Sequence, residues 1–119
     1  MQVSLLIYLS RQDMADRHNP EKAQAYWTPW PDFVGAMREA GVLIDGMALD
    51  GPATARTLSL DSGLVEDGPF ADTKESLAGL FLIEVPDMDS ALVWAKRVPS
   101  APGRKVEVRP NLAVGQRAG

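Results

Sequence analysis

Apolar positions in this chain recur first at strand spacing and then at helix spacing, and the switches between the two mark out its elements. Gln2 to Leu9 is a mostly apolar run with branched and aromatic residues, the length and content of a strand buried on at least one face. Ser10 to Asn19 is polar, holds His18, and reads as a loop. Asn19-Pro20-Glu21 then supplies an N-cap, a proline for the first turn and an acid for the helix dipole, so a helix is predicted to start there. Pro29 interrupts it, because an internal proline removes one hydrogen bond and clashes with the preceding turn. Thr28 can cap a second segment running to Ala40, in which Trp30, Phe33, Val34 and Met37 make one apolar face and Gly41 provides the C-terminal turn.

Val42-Leu43-Ile44 resumes the strand pattern. After Gly51-Pro52, Ala53 to Leu60 reads as another strand, joined through Asp61-Ser62-Gly63 to Leu64-Val65-Glu66 as a hairpin. A loop from Asp67 to Ser76 leads into Leu77 to Val85, the strongest strand signal in the chain. Asp87 caps a helix whose Met88, Leu92, Ala95 and Val98 align, with Trp94 beside them, and Pro99 stops it. Lys105 to Arg109 alternates as a last strand, and Asn111 to Gly119 is a weakly apolar tail expected to fray. Strand, helix, strand, inserted hairpin, strand, helix, strand is the order of an α+β, ferredoxin-like antiparallel sheet with two helices on one face. One domain over residues 1–110 with a tail over 111–119 follows. The other sheet face is left apolar and uncovered, so a homodimer is predicted.

Composition narrows the chemistry. A chain of 119 residues buries roughly two thirds of its extended surface on folding, enough for a core without staples. With 45% hydrophobic and 24% charged residues it has the balance of a folded globular domain. No cysteine and a single histidine exclude disulfides, thiolate metal sites, a cysteine nucleophile and His-pair metal centres within one chain. Twelve Lys and Arg against sixteen Asp and Glu give a net charge of −4, with the basic residues scattered, which argues against nucleic-acid binding. The apolar run Val3 to Leu9 lacks a basic leader and falls far short of the about 20 residues that span a bilayer, so no membrane association is expected and the cytoplasm is the expected location.

Candidate site residues cluster around one string, Asp67-Gly68-Pro69-Phe70-Ala71-Asp72-Thr73-Lys74-Glu75. Gly68 and Pro69 hold Asp67 at a set angle, so it either shapes the turn or serves as a positioned acid. Lys74 is an electrophilic support for an anionic or carbonyl compound, and Asp72 a second acid, unless the stretch is a solvated loop. Asp45 ends a strand and is either catalytic or paired, with Arg109 as the candidate partner. Asp67, Asp45 and Lys74 are thus the catalytic candidates, and Tyr8, Trp30, Phe70, Asp72 and Arg109 the ligand-binding ones. Tyr8, Tyr26, Trp27 and Trp30 line a pocket for an apolar or aromatic ligand or else belong to the core. His18, in a polar stretch, reads as a surface residue. No phosphate loop, dinucleotide fingerprint, nucleophile elbow or calcium loop is present, and neither a metal nor a cofactor is expected.

The Asp67 to Glu75 string, together with Leu5-Leu6-Ile7-Tyr8, Ala40 to Gly46, Gly79 to Asp87 and Val106 to Pro110, resembles the DGPF-motif branch of the YCII-related family over nearly the whole chain. The resemblance implies a dimeric α+β barrel. It also implies a cleft where relatives carry a His and an Asp suggested to be catalytic; here that histidine's place falls near Trp30, with His18 well upstream. Some members lie beside extracytoplasmic-function sigma factors. Two functions follow as expectations: a cofactor-independent small-molecule binder or lyase/isomerase-type enzyme using carboxylates in a cleft, or a non-catalytic dimeric module acting through a protein partner such as a sigma-factor-linked regulator.

Overall fold

In the computed structural model, which describes residues 1–71 and 73–113, strand β1 (Gln2–Leu9) lies inside a four-stranded antiparallel sheet. Its neighbours are β5 (Ser76–Glu84) and β6 (Lys105–Pro110), and β2 (Leu43–Ala48) pairs with the far side of β5, giving the order β2-β5-β1-β6. This is the order expected of a ferredoxin-like α+β plan. The inserted hairpin is present as a separate two-stranded ribbon of β3 (Arg56–Leu58) and β4 (Val65–Asp67), shorter than the sequence pattern predicts. A single turn of 3-10 helix, Pro52–Thr54, precedes it.

Alternation along β1 decides which side holds the core. Val3, Leu5, Ile7 and Leu9 are buried and face the helices α3 (Trp30–Glu39) and α4 (Met88–Ala95), where Phe33, Met37 and Ala91 pack against them. The side chains between them, Leu6 and Tyr8, point to the opposite face, where the register pairs Leu6 with Leu80, Met47 with Leu80, and Tyr8 with Leu77. Asp87 caps α4 as predicted, accepting from the Ser90 N–H at 2.8 Å, and these hydrogen bonds hold its carboxyl below the ordinary value of 3.8. The buried residue of α4 is Ala91, whereas Leu92, assigned to the apolar stripe by spacing, is exposed.

The polar stretch after β1 is the main departure from expectation. It forms a helix, α1 (Arg11–His18), with Ser10 as N-cap accepting from the Asp13 N–H at 3.1 Å. Asp13 and Arg17, one turn apart, share the face turned to the core and are both buried, so charge rather than apolar spacing anchors this helix. The next helix, α2 (Ala23–Trp27), starts later than Asn19-Pro20 predicts; Asn19 instead accepts from Glu21 N–H in a turn. α3 follows after Thr28-Pro29, the break expected from the prolines, and Gly41 has the positive φ of 73° expected of a C-terminal cap.

Candidate functional site

An irregularity in β5 places the first polar group of the site. The register of β1 against β5 shifts between Ile7 and Tyr8, which pair with Gly79 and Leu77, leaving Ala78 as the extra residue of a bulge. The Ala78 carbonyl therefore turns out of the β1 ladder and accepts from Leu49 N–H at 2.7 Å and from Arg17 Nη1 at 3.2 Å. Arg17 is only 3% exposed. Its other acceptor is the exposed His18, whose Nε2 lies 3.4 Å from Arg17 Nε and 3.3 Å from Nη2. Among the described residues no carboxylate lies within ion-pair distance of Arg17.

Beside this guanidinium is a cavity of about 210 Å³ between the helices and the sheet. Its aromatic wall is Tyr26 and Trp27 of α2, Trp30 of α3 and Phe81 of β5. Trp30 stacks on Phe81 with ring centres 6.3 Å apart, and the exposed Trp27 stands edge-on to Tyr26 at 4.9 Å and lies under the Arg17 guanidinium at 5.9 Å. Backbone of β2 and β5 closes the opposite side, where a Cβ on Gly79 would meet the Met47 carbonyl oxygen at 2.6 Å and one on Gly46 the Phe81 ring at 2.5 Å. Among the described residues no acidic side chain lines this cavity.

A second buried arginine stiffens the aromatic wall from behind. Arg104 makes a two-pronged pair with Asp13 at 2.8 Å on each oxygen, both side chains 6% exposed, and its guanidinium lies 5.1 Å from the Tyr26 ring centre and 5.3 Å from that of Trp30. Burial pushes the Tyr26 phenol above its ordinary pKa of 10.0, against the opposing pull of the Arg104 and Arg17 charges, so at neutral pH Tyr26 is an uncharged hydroxyl. Trp30 Nε1 is buried with no hydrogen-bond partner among the described residues, at a cost of about 1–3 kcal/mol.

Of the residues singled out by sequence, the structure brings Trp30 to this cavity, with Tyr26 and Trp27 from the aromatic set. Tyr8 lies elsewhere, beside a second depression that also takes in Leu49, Thr73 and Glu75. Asp67 sits on the ribbon with its side chain 94% exposed and its nearest cation, Arg56, at 3.9 Å. Phe70 is 90% exposed in the loop beyond β4. Asp45 is exposed on β2 and accepts from Gly46 N–H at 2.8 Å, and Lys74 is exposed in the bend before β5. No hydrogen bond or ion pair among the described residues joins any two of Asp67, Asp45 and Lys74, and none of them lines the aromatic cavity. Arg109 pairs with Glu107 on its own strand, not with Asp45, because β5 and β1 stand between β6 and β2. Asp72 and residues 114–119 of the expected tail lie outside the described residues.

Arg17 is the site residue that pattern reading missed. Its signal was the spacing Ser10-x-x-Asp13-x-x-x-Arg17, an N-cap followed by opposite charges one turn apart, which predicts a short helix within the polar stretch.

Residues 10–110 match the YCII-related domain. Over 76 residues the chain is 42% identical to the uncharacterized protein R00369 of Rhizobium meliloti (strain 1021), a match covering 60% of this chain and 61% of that relative. The chain thus spans about three fifths of the length of the curated relative it matches. No helix among the described residues is long and apolar enough to cross a membrane.

Proposed function

The chain belongs to the YCII-related family, and on that premise we propose that it is a DGPF-branch, cofactor-independent small-molecule-binding protein that works as a homodimer and holds its ligand in the aromatic cavity. One observation carries this reading: a cavity of about 210 Å³ with one aromatic wall and a buried arginine at its edge opens between the helices and the sheet. A ring held between Trp27, Trp30 and Phe81 would bury most of its area and gain stacking besides. Titration of the protein with benzamide, an uncharged aromatic probe, followed by amide and indole NMR, is expected to give saturable shifts at Trp27, Trp30 and Phe81 in the millimolar range. No saturable shift at these residues up to about 10 mM, a generous limit for so small a ligand, with either benzamide or its charged analogue benzoate would contradict the reading.

The open sheet face supports the homodimer. Leu6, Met47, Leu77, Leu80 and Leu82 share it, and Met47 and Leu77 are exposed in the single chain. Sedimentation velocity is expected to give a dimer at micromolar concentration and a monomer for Leu80→Glu; a wild-type monomer would sink the dimer. Asp45, Asp67 and Lys74 would take part in acid–base chemistry of the lyase or isomerase type only where a second subunit carried them to the ligand, so that role is tied to the dimer. The alternative of a module acting through a protein partner, such as a sigma-factor-linked regulator, draws its support from the ribbon and the loop beyond it, where Leu60 and Phe70 are almost fully exposed.

A further inference from the structure

We propose that the ligand of the aromatic cavity is a compact organic anion, an aromatic or similarly flat apolar body bearing one carboxylate, and that Arg17 is the residue that selects it. This rests on the cavity being the ligand site and adds the charge and class of its occupant.

The argument is one of unanswered charge. A guanidinium carries five N–H donors in a planar fork and remains protonated under all ordinary conditions. Arg17 is buried, yet the described residues offer it one backbone carbonyl and one imidazole nitrogen at long hydrogen-bond distance, the neutral Tyr26 phenol beside it, and no carboxylate. The other buried arginine, Arg104, is treated differently, with a two-pronged carboxylate at 2.8 Å. A buried cation without a counter-ion is expensive, and the partial negative charge at the C-terminal end of α1, where Arg17 sits, offsets only part of that cost. The other polar side chains on the cavity wall are the Tyr26 hydroxyl, kept in its neutral form and able to donate or accept, and the indoles of Trp27 and Trp30, which only donate. A wall with these donors and one cation, and with no acidic side chain among the described residues, complements a carboxylate and repels a second cation. The cavity volume of about 210 Å³ matches one ring with a short substituent. An extended or multiply charged anion would find one cation and an apolar wall.

The test compares benzoate with benzamide, two probes of the same shape that differ in charge, by NMR titration of the full chain at pH 7.5. Benzoate is expected to bind about tenfold or more tightly than benzamide, the preference that charge-assisted hydrogen bonds to a fixed guanidinium supply. Arg17→Met is expected to remove the preference, so that benzoate and benzamide bind this variant within about twofold of each other, and to raise the melting temperature of the unliganded protein, since it replaces a buried unpaired charge with an apolar chain of similar length. Arg17→Lys, which keeps the charge but not the fork, is expected to hold an intermediate preference and serves where Arg17→Met does not fold. Equal binding of both probes to wild type, or a preference that survives in Arg17→Met or, should that variant not fold, stays at the wild-type level in Arg17→Lys, would overturn the proposal while leaving the cavity as a ligand site. Binding of neither probe would overturn the cavity reading and this proposal with it.

Discussion

Alanine in place of Asp13 is expected to destabilise the fold by about 3–5 kcal/mol, because it leaves the Arg104 guanidinium buried and unpaired. Both side chains are 6% exposed and joined through two hydrogen bonds of 2.8 Å, so solvent does little to screen the loss. The pair ties α1 to the segment before β6, ninety-one residues later in the chain, and Arg104 lies over the Tyr26 and Trp30 rings. Losing it therefore loosens the cavity wall as well as the core, and benzamide binding is expected to weaken in the same variant. The double replacement Asp13→Leu with Arg104→Met removes both charges and is expected to recover most of the lost stability, since an apolar pair avoids the desolvation that the ion pair must overcome. Urea unfolding of the three proteins checks this. A single-variant loss below about 1 kcal/mol, the range of surface pairs, would show that the pair is not the buried anchor described here.

Alanine at Gly79 is expected to cost about 3 kcal/mol, at the upper end of overpacking effects. The new Cβ would lie 2.6 Å from the Met47 carbonyl oxygen and 3.3 Å from the Ala48 Cα, both backbone, so relief requires β2 to move away from β5. Met47 and Ala48 line the cavity together with Gly79, and the movement is expected to abolish benzamide binding. Gly46→Ala is the matched comparison. Its Cβ meets the Phe81 ring at 2.5 Å, a side chain that can rotate, so a smaller stability loss is expected with a displaced ring and weakened binding. Chemical denaturation and probe titration on both variants measure the two effects. Equal, small losses at both positions would mean that the β2–β5 approach is not the rigid floor of the cavity.

The main strands and the core face of β1 were legible because they follow from apolar alternation. Val3, Leu5, Ile7 and Leu9 point to one side in the sequence pattern and in the structure, and Pro29 and Asp87 mark a helix break and a helix start where they were expected. α1 was not legible by that route, since it is held by Asp13 and Arg17 rather than by an apolar stripe, and a hydrophobic period has nothing to detect in it. The bulge at Ala78 was hidden for another reason. It depends on how β5 meets β1, a property of two strands that neither shows alone. The site divides the same way: aromatic spacing pointed to Tyr26, Trp27 and Trp30, whereas the pairing proposed for Asp45 and Arg109 failed because sequence does not reveal that two strands separate them. The Asp67 to Glu75 string has a distinctive sequence, yet none of its described residues lines the cavity.

The central claim is that an apolar carboxylate occupies the aromatic cavity with its charge on Arg17, and a crystal structure of the protein grown with benzoate tests it most directly. The expected result is the ring between Trp27, Trp30 and Phe81, with a carboxylate oxygen about 2.8 Å from an Arg17 nitrogen, the length of a charge-assisted hydrogen bond. An unoccupied cavity at saturating benzoate, or a bound ring whose carboxylate faces away from Arg17, would contradict it.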